Sequence, residues 1–165
     1  PLPAAIFIHP TLVVVDLHNN QLAGQLLISS ETGLSNIQFL ALQFNQLNGA
    51  IPPEIALMDG LQHLDLGSNL LSGDIPQAIF FLKVRYLSLS YNNFAPGIIP
   101  NNIGDMINLV DLSLKSTNRV GFIPARIGDL QNLVMLGMYR TLYAEVCCSF
   151  PSFSNPLASC NRPSS

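Results

Sequence analysis

The sequence predicts an α/β solenoid, a coil of stacked short units that each hold one strand and one short helical turn. Three observations predict it. Leucine occurs 27 times in 165 residues and apolar residues reach 48%, while charged residues make up only 10%, against about 25% in a typical soluble domain. Segments starting at residues 12, 37, 61, 84, 109 and 133 align with one another, at separations of 25, 24, 23, 25 and 24 residues. Within each unit the apolar spacing changes from two to three, a switch from strand to helical period.

Each element follows from a few residues. In the unit that starts at Leu61, Leu64 and Leu66 alternate with polar neighbours and form a short strand with one face inward. Asn69 is a short amide able to bond main chain where the strand turns a corner, and Asn20, Asn45 and Asn92 repeat it, which predicts an internal amide ladder. Pro76 fixes φ and ends any strand there. Ile79 and Leu82, three apart, predict a short helical or 3₁₀ turn with its apolar side inward, and Ile55/Met58, Ile103/Met106 and Ile127/Leu130 match them. One unit cannot bury its apolar side alone, so at least three must stack into a continuous core.

The units share the pattern LxxLxLxxNxLxGxIPxxIxxL, with Gly49/Ile51/Pro52, Gly73/Ile75/Pro76, Gly97/Ile99/Pro100 and Gly121/Ile123/Pro124 in phase. This resembles the leucine-rich repeat, specifically its 24-residue plant-type subclass. The resemblance covers about residues 1–145, with a partial first repeat at 1–11 and about five to six repeats from residue 12. It implies a right-handed superhelix with a parallel β-sheet on the concave face and short 3₁₀ or helical turns on the convex side. It also implies the extracellular domains of receptor-like kinases, receptor-like proteins or polygalacturonase-inhibiting proteins, located outside the cell or at its surface.

The two ends depart from the pattern. The chain begins at Pro1 rather than Met, and Leu2-Pro3-x-x-Ile6 is in phase as the back half of a preceding repeat, so a processed product or a fragment is expected, without the first cap. Toward the other end, Thr117 stands where Asn is expected and Arg119 where Leu is expected, and Thr141, Tyr143 and Glu145 have lost the motif. Residues 146–165 are rich in Ser and Pro and read as a C-terminal cap running into a linker. This stretch holds all three cysteines. A disulfide from Cys160 to Cys147 or Cys148 would close a short loop in an oxidising compartment; free thiols are the rival reading, and neither a CxxC motif nor nearby ligands suggest a metal. The absence of an N-x-S/T sequon runs against an extracellular protein of this type.

Composition removes several function classes. Net charge is −3, with seven Lys and Arg and no basic run, which argues against nucleic acid as a partner. The longest apolar runs, such as residues 12–15 and 78–82, fall far short of the about 20 residues that span a membrane. No phosphate loop, zinc spacing or calcium loop appears, and no cofactor is expected. His63 and Asp65 on one strand, with Ser88 on the next, supply the residue types of a nucleophilic triad. An open strand surface lacks the oxyanion hole and water-excluding pocket that such chemistry needs, so a non-catalytic protein is expected.

Function is expected on the outward-facing strand positions, which form columns across a parallel solenoid. Counting from the first Leu, column three reads Val14, Phe39, His63, Tyr86, Asp111 and Met135, column five begins with Asp16, Ala41 and Asp65, and column eight includes Phe44 and Tyr91. Phe39, Phe44, Tyr86, Tyr91 and Tyr139 point out where the core has no need of aromatics, and His63, Asp65 and Asp111 flank them as polar groups. Phe44 has the alternative of tucking into the strand-end turn. These eight residues are the candidate contacts for a protein or peptide ligand, with a co-receptor or a secreted cell-wall hydrolase as the partner classes the resemblance implies. A structural spacer and an ice-binding surface are further readings; the latter wants a regular Thr or Asn array, which is absent outward.

Overall fold

The computed structural model describes residues 2–28 and 36–139. Two parallel sheets run along the coil. The first has six strands: β1 (Val14–Asp16), β3 (Phe39–Ala41), β5 (His63–Asp65), β7 (Tyr86–Ser88), β9 (Asp111–Ser113) and β10 (Met135–Gly137), neighbours in that order. The second has four: β2 (Ala23–Gln25), β4 (Gln46–Gly49), β6 (Leu70–Gly73) and β8 (Asn93–Phe94). The sequence pattern places one strand in each unit and does not reveal the second sheet. Three of those strands bury a single apolar side chain each, Leu47, Leu71 and Phe94, and β2 buries none, so there is too short an inward run to show alternation.

The opposite side is built from 3₁₀ turns at Ala4–Ile8, Pro53–Leu57, Gln77–Phe81, Asn101–Asp105 and Ala125–Asp129, as the Ile-x-x-Leu spacing predicts. A proline precedes every one (Pro3, Pro52, Pro76, Pro100, Pro124) in extended conformation or close to it. Its φ is preset and its missing N–H leaves nothing unsatisfied at a turn entry. Leu64, Leu66, Leu87 and Leu89 are fully buried between the sheets and the turns, in one core that extends from Leu2 to Leu130.

The corner between the two strands of each unit is held by asparagine. The Asn69 amide donates to Leu42 O (2.9 Å) in the preceding unit and to Leu66 O (3.2 Å) in its own, while its oxygen accepts from Leu47 N (3.0 Å). Asn45 and Asn92 make the equivalent bonds one unit on either side. Asn20, expected in the ladder, departs from it: among the described residues it bonds only within its own unit, to Leu17 O and His18 O, at an exposed corner where water can serve the remaining groups.

At the irregular unit the stitching moves rather than stops. Thr117 is buried and donates only to Leu114 O (2.7 Å), because a hydroxyl has one proton and cannot bridge two turns as an amide does. Arg119 fills the apolar position, donating through Nε to Thr117 O (3.0 Å) and reaching Ala95 O of the preceding unit with its guanidinium. Asn118 adds a bond to Phe94 O (2.8 Å). Gly97 makes room for this arrangement, since a Cβ there would lie 2.7 Å from the Arg119 guanidinium. Cys147, Cys148, Cys160 and the cap read at 146–165 lie outside the described residues, as do Thr141, Tyr143 and Glu145.

Asn69→Ala removes one donor group and one acceptor from a dry corner, and should cost about 3 kcal/mol of stability. Asn20→Ala, at an exposed corner, should cost about 1 kcal/mol or less. Urea titration of the two variants checks the contrast; equal losses would show that the ladder does not hold the units together.

Candidate concave-face binding site

Strand register places the candidate residues. Val14, Phe39, His63, Tyr86, Asp111 and Met135 are direct partners on successive strands of the first sheet. Three of them stack. The Phe39 and His63 rings lie 4.1 Å apart with 14° between planes, and His63 and Tyr86 lie 4.2 Å apart with 6° between planes. The sequence reading has these rings standing outward as separate groups. They do leave the core, but parallel strands about 4.8 Å apart bring equal columns into ring contact, so each is half-buried by its neighbours.

The next column is a floor of short side chains. Ala41, Asp65 and Ser88 are buried although they face away from the leucine core. Asp65 is 8% exposed: its Oδ1 accepts from Gly67 N (2.9 Å) and its Oδ2 from the Tyr86 hydroxyl (3.3 Å). The carboxylate that the sequence offers as a free contact therefore serves the face itself. Gly67 leaves room there, because a Cβ would lie 3.0 Å from Asp65 Oδ1 and 3.2 Å from Ser88 Oγ and would crowd both. With Asp65 bonded this way and His63 between two rings, the three triad residue types do not form a hydrogen-bonded relay. Farther along, Ser90 Oγ and Ser113 Oγ bond at 2.8 Å.

A second aromatic group stands at the strand-end corner. Phe44 and Tyr91 have φ of 56° and 57°, in the left-handed region shared by Asn19, Ser68 and Ser116 at the same place in their units. Phe44 does not tuck into the turn; it is 60% exposed. Left-handed backbone disfavours side chains with a Cβ by about 1 kcal/mol, and bulky residues are rare there. Tyr91 meets Tyr139 edge to face at 6.1 Å, and Lys115 Nζ lies 5.7 Å from the Tyr139 ring centre. Lys115 is the contributor that the sequence reading passed over, although its column was visible.

The geometry has counterparts among known proteins. The Leucine Rich Repeat family matches residues 60–82 and 83–106. The chain is 35% identical to lumican of Coturnix japonica over 109 residues, covering 62% of this chain and 29% of that protein. It is 33% identical over 118 residues to Receptor-like protein 32 of Arabidopsis thaliana, covering 67% of this chain and 13% of that protein. The ectodomain of the plant membrane receptor kinase GASSHO1/SCHENGEN3 from Arabidopsis thaliana, in complex with CASPARIAN STRIP INTEGRITY FACTOR 2, superimposes with a TM-score of 0.77 at 32% identity, covering 87% of this chain and 17% of that one. The chain is a plant-type leucine-rich repeat protein. It spans only a minor part of the length of these three relatives.

One depression in the described part of this leucine-rich repeat protein lies off the concave face. It is an open groove of about 800 Å3 at the amino ends of the strands, lined among others by Gln62, Lys83, Arg85, Asn108 and Asn132. The concave face has the more developed chemistry. Burial holds His63 below the ordinary histidine range, against the pull of Asp65 and Asp16. Burial, then the Asp65 charge, pushes the Tyr86 phenol up to about 12. Burial raises the Asp111 carboxyl, with Lys115 opposing. At the first strand the His18 ring bonds Asp16 (2.5 Å) and holds its carboxyl below the usual range.

These directions give a pH dependence. A histidine held below its ordinary pKa binds fewer protons when folded than when unfolded, so it removes stability as pH falls through about 6.5. Asp111 acts with the opposite sign, and at lower pH, in the carboxylate range. Melting curves at pH 7.5 and 5.5 isolate the histidine window. The His63→Phe variant, which keeps a ring in the stack, should lose less Tm between the two values than the parent protein; an unchanged difference would remove His63 as its source.

Proposed function

We propose that the chain is part of a receptor-type recognition module that binds an extended peptide or a protein surface across the concave face, outside the cell or at its surface. The observation that carries this reading is the pair of exposed aromatics, Phe44 and Tyr91, held in left-handed backbone where Asn or Gly would be more stable. A fold selected for stability alone has no use for them. The stacked Phe39, His63 and Tyr86 rings and the Tyr91, Tyr139 and Lys115 cluster give two aromatic walls over a floor of small side chains. Rigid aromatic anchors on a stiff sheet lose little freedom on binding.

The comparisons support the same reading, since the ectodomain that superimposes at 32% identity is a receptor in complex with a named factor. No helix among the described residues is long and apolar enough to cross a membrane.

Two outcomes are expected. Phe44→Asn should raise stability by about 0.5–1 kcal/mol in urea titration, because asparagine tolerates this backbone. Peptides selected from a display library against the 165-residue chain should bind at least tenfold more weakly to Tyr91→Ala and to Tyr139→Ala, and equally well to Phe122→Ala, an exposed residue outside the first sheet, in the segment that leads into the turn at Ala125–Asp129. Binding lost only in Phe122→Ala would move the site off the concave face. Selective capture of a purified polygalacturonase in place of library peptides would favour the hydrolase-inhibitor class instead.

A further inference from the structure

The ring stack on the concave face stops one rung early. Phe39, His63 and Tyr86 occupy three successive positions of column three at intervals of 4.1 and 4.2 Å, and the next two positions are Asp111 and Met135. Aspartate is several atoms shorter than tyrosine, so the column-three side chain of β9 does not reach ring height. On one side of that space is the second face of the Tyr86 ring, which carries no ring or cation among the described residues. On the other side is Met135, 56% exposed. Below it is the Asp111 carboxylate, half-buried and reached by no hydrogen bond among the described residues. Asp65 and Asp16, the other carboxylates of the face, are already bonded to Gly67, Tyr86 and His18.

We propose that this gap is a subsite for an arginine side chain of the bound partner, its guanidinium stacking on Tyr86 as the fourth plane of the ladder and bonding Asp111 beneath. A guanidinium is planar, is weakly hydrated and stacks on aromatic faces, and its forked donors match a carboxylate. A lysine ammonium is a compact point charge with no plane to continue the stack. The half-buried carboxylate supplies the counter-charge, and the methionine closes the slot with a polarizable, adaptable side chain. Lys115 acts on Asp111 through its charge, but its ammonium lies over Tyr139 and makes no hydrogen bond to Asp111 among the described residues. The proposal rests on the concave face being the binding surface and names one chemical feature of what binds there: an extended segment with an arginine positioned over β9.

The test uses the 165-residue chain, isotope-labelled, and two small probes: Nα-acetyl-arginine methylamide and its neutral isostere Nα-acetyl-citrulline methylamide. The arginine probe should perturb resonances of Tyr86, Asp111 and Met135 at a concentration at least tenfold lower than the citrulline probe. Asp111→Asn, isosteric and checked for folding in the same spectra, should weaken the arginine probe about tenfold and leave the citrulline probe unchanged. Equal binding of the two probes, or perturbations centred away from Tyr86, overturns the subsite even where the variant cannot be made. The library peptides separate the two levels of the argument. If they depend on Tyr91 and Tyr139 but carry no arginine and ignore Asp111→Asn, the subsite falls and the concave-face reading stands; if they ignore all three, both fall.

Discussion

The structure depends on satisfying main-chain groups at a corner that every unit turns inside a dry core. The strand ends there with carbonyls directed at neither sheet, and an unpaired buried carbonyl or amide costs about 1–3 kcal/mol. Asparagine meets the need with one side chain: its NH₂ bonds carbonyls of its own and the preceding unit, and its oxygen takes an amide of the preceding unit. Because these bonds cross between units, Asn45, Asn69 and Asn92 set the coil's period as well as its corners. The Thr117 unit shows that the requirement is chemical and not tied to one residue. Arg119 and Asn118 reach the preceding unit's carbonyls at Ala95 and Phe94, and the first sheet continues to β10.

That same corner creates the functional surface. Turning the chain after the strand puts one residue of each unit in left-handed backbone with its side chain outside the core, and two of the five such corners hold aromatics. Uniform unit length then aligns equal positions on neighbouring strands about 4.8 Å apart. At that spacing aromatic rings stack, carboxylates find backbone amides, and serine hydroxyls pair. The concave face is thus an ordered array whose contents are set one residue per unit, so it varies in chemistry without disturbing the core behind it.

Much of this was legible beforehand. Regular spacing of Leu, Asn and the GxIP segment gave the solenoid, the inward leucines, the amide ladder and the 3₁₀ turns, because each follows from contacts within one unit or between identical neighbours. The outward set Phe39, His63, Tyr86, Asp111, Phe44, Tyr91 and Tyr139 was legible as columns for the same reason. The second sheet was not, since a strand with one inward residue has no period to detect. Nor was the condition of each outward group. Asp65 and Asp111 look alike in the sequence, yet one is bonded by Gly67 and Tyr86 while the other carries no hydrogen bond among the described residues.

Spacing along the chain encodes the repeat length, the side chains that face the core and the residues that stand in each outward column. Which outward groups touch one another, and which face outward without such a contact, was settled by folding alone. That outcome depends on the chemistry of residues some two dozen positions apart, brought within ring-stacking distance by parallel pairing, and no local pattern in the chain carries it.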